Sequence, residues 1–426
     1  MIRTFFLVLI FGIFVSCLES DDQYTLVIEG FDWGPAVNKV ILPMERKLTS
    51  VEGLRFTVEV TRQAECAELR PEDAKGKRQI TAVYVSDSRG NPVSQGTHVT
   101  LDLEVSPELV LSNPFYYSTD NGCSGNNWVT YRLQIFEEME NQSWIEEKKR
   151  ILPLVEKFKL DHSYAFSPDL KLNYAYYAPS ESEAKTPLII WLHGGGEGGR
   201  DTSIPLLANR AANYASKEIQ HFFGSAYVLV PQCPGAWMHN EDGEVTWGKD
   251  NDAYNEALMA LIADFVKENS NIDSNRIYVG GCSNGGYMSL KLILQHPDYF
   301  AAGFISALAY RSEYLSEQEL NRIKHMPIWF IHAKDDRTTP PEETVVPVYN
   351  RLIELGADKL QFSFYDHVYD VSGEFGGTDY HYSGHWSWIY SHANKARINS
   401  NGQAVESLPG QPSLMEWLAD QTREKR

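Results

Sequence analysis

A serine between glycines is the first position in this sequence whose residue type and spacing could do chemistry. In the segment IYVGGCSNGGYMSL, residues 277–290, Ser283 lies two residues from Gly281 and two from Gly285. Such glycines allow a strand to turn sharply into a helix that packs closely against it. The pattern predicts a nucleophile elbow that exposes the Ser283 hydroxyl. An ordinary glycine-rich turn remains an alternative, because so short a pattern recurs by chance.

A second glycine-rich segment supplies candidate donors for the oxyanion that an acyl-transfer reaction forms. The apolar strand PLIIWL runs directly into HGGGEGG, residues 193–199, whose glycines leave backbone N–H groups unshielded. A phosphate-binding loop would end in Lys followed by Ser or Thr, whereas Arg200 and Asp201 stand here. The segment therefore favours an oxyanion loop, in which we expect His193 to maintain the loop conformation.

A serine nucleophile also needs a base and an acid that orients the base. Asp335 and Asp336 follow a buried strand in PIWFIHAKDDRTTPP, and His381 and His385 lie in the aromatic segment YHYSGHWSWIY. The chain order Ser, Asp, His is the one that an elbow serine requires. The two histidines have the spacing of helical metal ligands, but the intervening serine and glycine argue against a helix, so we predict no metal.

The elements that would position these residues fall into two domains. Residues 24–137 contain short alternating runs separated by Gly, Pro, Asn and Asp, which predict an all-β sandwich. Residues 138–150 are highly charged and predict a linker or surface helix. Residues 151–426 alternate apolar strands with helical stretches, which predicts a mostly parallel, doubly wound α/β sheet.

Several of these motifs together resemble a known family. HGGGEGG, VPQCPGAWM, YVGGCSNGGYM, IHAKDDRTTP and GHWSWIY resemble secreted bacterial carboxylesterases of the α/β-hydrolase superfamily. VIEGFDWGPAVNKVIL is similar to the immunoglobulin-like domain that precedes the catalytic domain in the esterase A type. The resemblance implies an α/β-hydrolase fold behind an immunoglobulin-like sandwich and a serine carboxylesterase that needs no cofactor.

The resemblance also implies roles for individual residues. Ser283 would be the nucleophile, His385 the base and an Asp of KDD its orienting acid, with the N–H groups of Asn284 and of Gly194 or Gly195 as oxyanion donors. We choose Asp336 as the acid, because it lies four residues after His332 and four before Pro340, the common spacing of this motif. Ala333 and Thr339 depart from that motif, where Gly and Val are usual.

The sequence indicates less about the substrate than about the catalytic residues. Trp237 and Trp386 fall in segments that could rim a pocket for a sugar or an aryl acid, although ordinary packing explains such residues equally well. The substrate would be a small-molecule or glycan-linked ester. A prolyl-oligopeptidase-like serine peptidase and a non-catalytic glycan-binding lipoprotein remain alternative functions.

Composition limits the partners and the compartment. The 426 residues carry a net charge of −19, which would repel nucleic acid and anionic membranes. Residues 1–17, MIRTFFLVLIFGIFVSC, predict an export signal, because their apolar run is too short to span a bilayer. Cys17 follows a small residue as in a lipobox, so we expect an exported protein anchored by lipid or else secreted or periplasmic. The oligomeric state is left open.

The remaining cysteines are consistent with an exported protein. Cys66 and Cys123 are a possible disulfide pair in the first domain, and no CxxC spacing suggests zinc. Cys282, next to Ser283, is expected to be a small buried side chain.

Overall fold

The computed structural model describes residues 22–120, 123–179, 184–397 and 413–423, so the predicted export signal lies outside the described residues. The predicted fold class is confirmed: a β-sandwich is followed by a mostly parallel, doubly wound α/β domain.

Two sheets form the sandwich. The strands are β1 (Gln23–Phe31), β2 (Gly34–Leu48), β3 (Phe56–Gln63), β4 (Lys75–Lys77), β5 (Ile80–Ser86), β6 (Gly96–Leu103), β7 (Phe115–Ser118), β8 (Gly125–Trp128), β9 (Thr130–Glu137), β10 (Gln142–Trp144) and β11 (Glu146–Ile151). One sheet has the order β11-β1-β2-β6-β5 and the other β10-β9-β3-β4, while β7 and β8 form a separate hairpin. Buried and exposed residues alternate along β9, as expected of a strand with one face on the core. A short helix, α1 (Pro71–Ala74), precedes β4.

The charged segment 138–150 is not a linker or a surface helix, and that prediction was wrong. Its residues form β10 and most of β11, which pair with β9 and β1. β11 lies at the edge of its sheet and most of its side chains are at least partly exposed, so it needs no apolar alternation. Ile151, at its end, packs against Val27 and Ile41. The sandwich therefore extends to residue 151.

The β7–β8 hairpin is tied to the sandwich. Cys66 forms a disulfide with Cys123, which resolves the pairing that the sequence left open. The buried Arg62 donates hydrogen bonds from Nε to the carbonyl of Asn113 and from Nη2 to that of Phe115, both at 2.9 Å. Arg62 thus holds the start of the hairpin, and the disulfide its connecting turn, against the end of β3 and the residues that follow it.

We expect the disulfide to stabilise the sandwich. It closes a loop with a sequence separation of 57 residues, for which restriction of the unfolded chain contributes about 2–4 kcal/mol. Replacing Cys66 and Cys123 by Ser should lower the urea midpoint of the sandwich transition. Reduced wild-type protein should show the same lower midpoint, and equal midpoints for oxidised and reduced protein would contradict the expectation.

An eight-stranded sheet organises the second domain. Its strands are β12 (Lys159–Ala165), β13 (Lys171–Tyr177), β14 (Thr186–Leu192), β15 (Tyr227–Gln232), β16 (Ile272–Cys282), β17 (Ala302–Ser306), β18 (Ile328–Ala333) and β19 (Leu360–Tyr365). The order is β12-β13-β15-β14-β16-β17-β18-β19, and every pair from β15 to β19 is parallel. A small antiparallel pair, β20 (Val368–Tyr369) and β21 (His381–Tyr382), follows β19.

Helices cover both faces of this sheet. They are α2 (Ser203–Ala208), α3 (Lys217–Phe223), α4 (Asn255–Glu268), α5 (Asn284–Gln295), α6 (Glu317–Ile323), α7 (Val345–Glu354), α8 (Trp388–His392) and α9 (Leu414–Ala419). β14 is wholly buried, and its side chains alternate between the two cores: Leu188 and Ile190 pack with α4–α7, whereas Ile189 and Trp191 pack with α2, α3, α8 and α9. Parallel strands buried on both faces place their carboxyl ends at one edge of the sheet, where a site can form.

A buried polar contact also joins the two domains. Asp32, in the turn between β1 and β2, accepts hydrogen bonds from Arg210 at 2.5 Å and from His392 at 3.1 Å. Its side chain is buried, and burial raises the pKa of Asp32, but hydrogen bonds from His392 and the charge of Arg210 outweigh that effect and lower the pKa. The carboxylate therefore stays ionised at this junction.

Candidate active site

Ser283 occupies a strained turn between β16 and α5. Its backbone has φ 53° and ψ −114°, a conformation that non-glycine residues rarely adopt. The flanking glycines are required by close packing: a Cβ on Gly281 would lie 2.6 Å from the carbonyl oxygen of Leu192, and one on Gly285 would lie 2.0 Å from the same atom. The tight crossing of β14 and α5 thus explains the glycine pattern, and Ser283 itself is partly exposed.

His385 lies between Ser283 and Asp336. Its Nε2 is 3.0 Å from Ser283 Oγ, and its Nδ1 is 2.9 Å and 3.1 Å from the two carboxylate oxygens of Asp336. The consistent assignment is that Nδ1–H donates to Asp336, which leaves Nε2 to accept the serine proton. Residues more than a hundred positions apart in sequence are thus brought into one hydrogen-bonded row.

Asp336 is buried and well supplied with donors. The backbone N–H groups of Thr338 and Thr339 donate to Oδ1 at 2.9 and 3.0 Å, and the Thr339 hydroxyl donates to Oδ2 at 2.8 Å. His332 Nε2 lies 3.1 Å from Oδ2. Burial raises the pKa of Asp336, but hydrogen bonds from His332 and His385 outweigh it, so the pKa lies well below its usual range. The group is an anion suited to orient an imidazole.

Two of these partners were not foreseen from the sequence. Thr339 was noted only as a departure from the motif, and His332 only as a marker of spacing. Both lie at the carboxyl end of β18 beside Asp336, so the signal was their position within a few residues of the acid.

The two neighbouring candidates, Asp335 and His381, lie outside this hydrogen-bonded row. Asp335 is exposed and its Oδ2 accepts from His367 at 2.8 Å. His381 is exposed as well, its ring stacks on His367 with 4.4 Å between centroids, and its Nε2 lies 3.2 Å from the carbonyl of Thr378. The structure thus separates Asp335 and His381 from the row that contains Ser283.

The predicted oxyanion donors come from two segments. Asn284 is the first residue of α5, where a backbone N–H has no partner within the helix. The Gly194 N–H lies 3.3 Å from Asn209 Oδ1, whereas no acceptor is found for the Gly195 N–H within the described residues, and the space beside Gly195 is open. Of the two glycines predicted, Gly195 is therefore the better donor. These roles remain predictions.

The buried ring of His193 stabilises the predicted oxyanion loop. It is fully buried, and its ring is hydrogen-bonded to the Gly194 carbonyl at 2.6 Å and accepts from the Cys233 N–H at 3.2 Å. Burial lowers the pKa of His193 to about 4, so the ring is neutral near pH 7.

Trp237 does not rim a pocket, and that prediction was wrong. Its side chain is completely buried, 5.1 Å from the ring of His193 between centroids. Its backbone N–H donates to Asn284 Oδ1 at 2.6 Å, so the residue packs beneath the oxyanion segments. Trp386 is half-buried next to His385 and packs against Tyr382. It remains a pocket candidate.

The fold and this row of side chains define an α/β hydrolase with a Ser-His-Asp arrangement. Residues 177–369 match the phospholipase/carboxylesterase family, and residues 23–144 match the esterase immunoglobulin-like N-terminal domain. The predicted pairing of an esterase immunoglobulin-like domain with a hydrolase domain of the carboxylesterase type is thereby confirmed.

Individual proteins give further comparisons. The chain is 30% identical over 132 residues to poly(3-hydroxyalkanoate) depolymerase C of Paucimonas lemoignei, covering 29% of this chain and 28% of that one. It is 29% identical over 127 residues to feruloyl esterase B of Neurospora crassa, covering 30% and 40% of the two chains. The match thus spans less than half of either relative. A thermostable esterase of known crystal structure superposes with a TM-score of 0.73 at 23% identity, covering 94% of this chain and 99% of that one, which supports the two-domain fold.

Proposed function

We propose that the protein is a serine carboxylesterase that works through an acyl-enzyme. The observation that carries the proposal is the unbroken row from Ser283 Oγ through the His385 imidazole to Asp336, at 3.0 and 2.9 Å. Such a row, with backbone donors beside the serine, is the constellation that acyl transfer requires.

The reaction follows from the geometry. Ser283 Oγ attacks the ester carbonyl while His385 Nε2 takes its proton, and the N–H groups of Asn284 and Gly195 stabilise the negative oxygen. The imidazolium then protonates the departing alcohol, leaving an acyl group on Ser283. Water, deprotonated by the same His385, attacks that ester and releases the acid, which restores the serine. No step needs a cofactor.

The proposed substrates are aryl esters or esters linked to carbohydrate. Two observations support this choice: the relatives named above include a feruloyl esterase, and the segment of chain that contains His385 also contains the half-buried Trp386 and Trp388. Aromatic faces suit both an aryl acid and a sugar ring. The Trp388 ring stands perpendicular to that of His385 at 5.5 Å, which places an aromatic surface beside the base.

A substrate panel tests the function. The purified protein is assayed with p-nitrophenyl acetate, methyl ferulate, an acetylated sugar, a long-chain fatty ester and a prolyl anilide, with Ser283→Ala as the blank. We expect hydrolysis of the esters, with methyl ferulate or the acetylated sugar giving a higher kcat/KM than the fatty ester. Faster cleavage of the prolyl anilide would favour the peptidase alternative, although the described N-terminal residues form a sandwich and not a propeller. Sugar binding without any turnover would favour the non-catalytic alternative.

We also propose that the protein is exported and that Cys17 carries a lipid. The support is the apolar segment that precedes Cys17 and the acidic residues that follow it. None of the helices in residues 22–120, 123–179, 184–397 and 413–423 is long and apolar enough to cross a membrane. Mass spectrometry of the native protein should find a diacylated N-terminal cysteine at position 17. An unmodified N-terminus at another residue would contradict lipidation and leave plain secretion.

A further inference from the structure

The oxyanion loop, defined as residues 193–201, lies directly against the β7–β8 hairpin of the sandwich. A Cβ on Gly125 would lie 2.6 Å from the carbonyl oxygen of Gly196, and a Cβ on Gly196 would lie 3.0 Å from the ring of Tyr117. The two backbones therefore meet without room for a side chain. Gly196 is the residue after the candidate donor Gly195, so the contact is one residue from the proposed chemistry.

Two hydrogen bonds cross the same boundary. Asn126 Nδ2 donates to Glu197 Oε1 at 2.8 Å, and Trp128 Nε1 donates to Asp201 Oδ2 at 2.8 Å. Asn126 and Trp128 both belong to β8, two residues apart, so they lie on one face of that strand. One strand of the sandwich thus holds the loop at its middle and at its end.

Glu197 is an unusual residue in this place. It is a carboxylate in a glycine loop, it is only 6% exposed, and the catalytic steps do not use it. Burial raises the pKa of Glu197 to about 7, and hydrogen bonds from Asn209, Asn126 and the Gly194 N–H oppose that rise. A buried carboxylate is stable only where such donors surround it, and one of its donors comes from the other domain.

Glu197 also connects to the proposed oxyanion donor. Gln232 Nε2 donates to the Glu197 carbonyl at 2.9 Å, and the Glu197 N–H lies 3.4 Å from the Gly194 carbonyl. These bonds close the turn that presents the Gly195 N–H. The Gly194 N–H also bonds to the Glu197 carboxylate, so a shift of the Glu197 side chain would change the direction of the neighbouring Gly195 N–H.

We propose that Asn126 is a positioning residue of the hydrolase domain: by holding Glu197 across the domain boundary, it fixes the oxyanion loop in its working conformation. The anchoring of the hairpin by Arg62 and by the disulfide makes Asn126 a rigid donor. Asn126 acts through Glu197 and touches no reacting atom. The inference rests on the proposed esterase reaction.

The first test compares Asn126→Ala with Asn127→Ala. Asn127 is the adjacent residue of the same type, and its Nδ2 donates within the hairpin, to the carbonyls of Cys123 at 2.8 Å and Gly125 at 3.0 Å. With p-nitrophenyl acetate, Asn126→Ala should lower kcat about tenfold with little change in KM, since loss of a whole oxyanion donor costs about 10²–10³-fold. Asn127→Ala should keep kcat close to that of the wild type. Equal kcat values for both variants would overturn the proposal.

The second test separates hydrogen bonding from packing. Asn126→Asp keeps the shape of the side chain but replaces the donor by a second carboxyl beside Glu197. Two adjacent carboxyls share a proton at lower pH and repel each other at higher pH. The kcat of Asn126→Asp relative to wild type should therefore rise as the pH falls from 8 to about 5.5. A ratio that does not change with pH would contradict the role of the donor.

Two other titratable groups near Glu197 do not change charge in this pH range and so do not affect the ratio of kcat values. Burial raises the pKa of the Cys282 thiol, on β16, well above its usual value, and burial lowers that of His193 to about 4. Both groups are therefore neutral throughout the range.

A third measurement does not depend on turnover. Amide hydrogen exchange at residues 193–198 should become faster in Asn126→Ala than in wild type and remain unchanged in Asn127→Ala. If the wild type hydrolyses no ester, the proposed function fails, and the exchange rates still decide whether Asn126 holds the loop. Unchanged exchange in Asn126→Ala would overturn the inference.

Discussion

Replacing Ser283 by alanine should lower kcat for ester hydrolysis by about six orders of magnitude, the loss typical of a removed triad nucleophile. The turn itself should persist, because its geometry is set by the contacts of Gly281 and Gly285 with Leu192 and by the bond from the Ser283 N–H to the Ser306 carbonyl at 3.0 Å. The measurement is kcat with p-nitrophenyl acetate, together with circular dichroism and urea unfolding. An active, folded Ser283→Ala variant would contradict the assignment.

Two histidine variants control this result. His385→Ala should lower kcat to a similar level, and the double variant with Ser283→Ala should be no worse, because the pair acts as one unit. His381→Ala should stay close to wild type, since its imidazole is exposed and faces Thr378 and His367. The assignment fails if the His381 variant is inactive while the His385 variant hydrolyses esters normally.

Replacing Asp336 by asparagine should lower kcat by about four orders of magnitude. The asparagine amide would present an N–H to His385 Nδ1 where the carboxylate now accepts at 2.9 Å. The imidazole would then carry its proton on Nε2, which could no longer take the proton of Ser283. The measurement is the pre-steady-state rate of acylation in folded protein.

Asp335→Asn is the matched control for that experiment. It makes the same chemical change at the adjacent residue, but Asp335 is exposed and bonded to His367, so we expect a loss of less than tenfold, as for exposed polar groups in general. If Asp335→Asn lowered kcat more than Asp336→Asn, the roles of the two acids would be exchanged. The assignments of Ser283 and His385 would not change.

Ser283, Asp336 and the oxyanion loop could be predicted from the sequence because each lies close to the end of a buried strand. Ser283 follows β16, the oxyanion loop follows β14, and Asp336 lies three residues after β18. Parallel strands bring these ends together, so local motifs in the correct order already define a common site. The regular strands of the sandwich were predictable for a similar reason, since their side chains alternate between core and solvent.

Other features depend on contacts that no local pattern shows. All residues of β11 except Ile151 are charged, because an edge strand with an exposed face needs little apolar surface, and the segment was therefore mistaken for a linker. Trp237 was predicted at a pocket rim because it falls in a loop and its aromatic face would suit a sugar or an aryl acid. That segment instead folds beneath the oxyanion loop, where the Trp237 ring faces His193.

The domain contact was the least predictable feature. Asn126 and Glu197 are 71 residues apart, and neither lies in a repeating pattern that would indicate its partner. The single local signal was a carboxylate within a run of glycines, at a position where a charge must be exposed or paired.

The most direct test of the central claim is to trap the acyl-enzyme. The protein is mixed rapidly with p-nitrophenyl acetate, quenched in acid, digested and analysed by mass spectrometry, with Ser283→Ala treated in parallel. The proposed reaction predicts one acetyl group per chain on the peptide that contains Ser283, with a burst of p-nitrophenol of equal size, and neither in the variant. Acetyl on another residue, or turnover without any acylated Ser283, would contradict it.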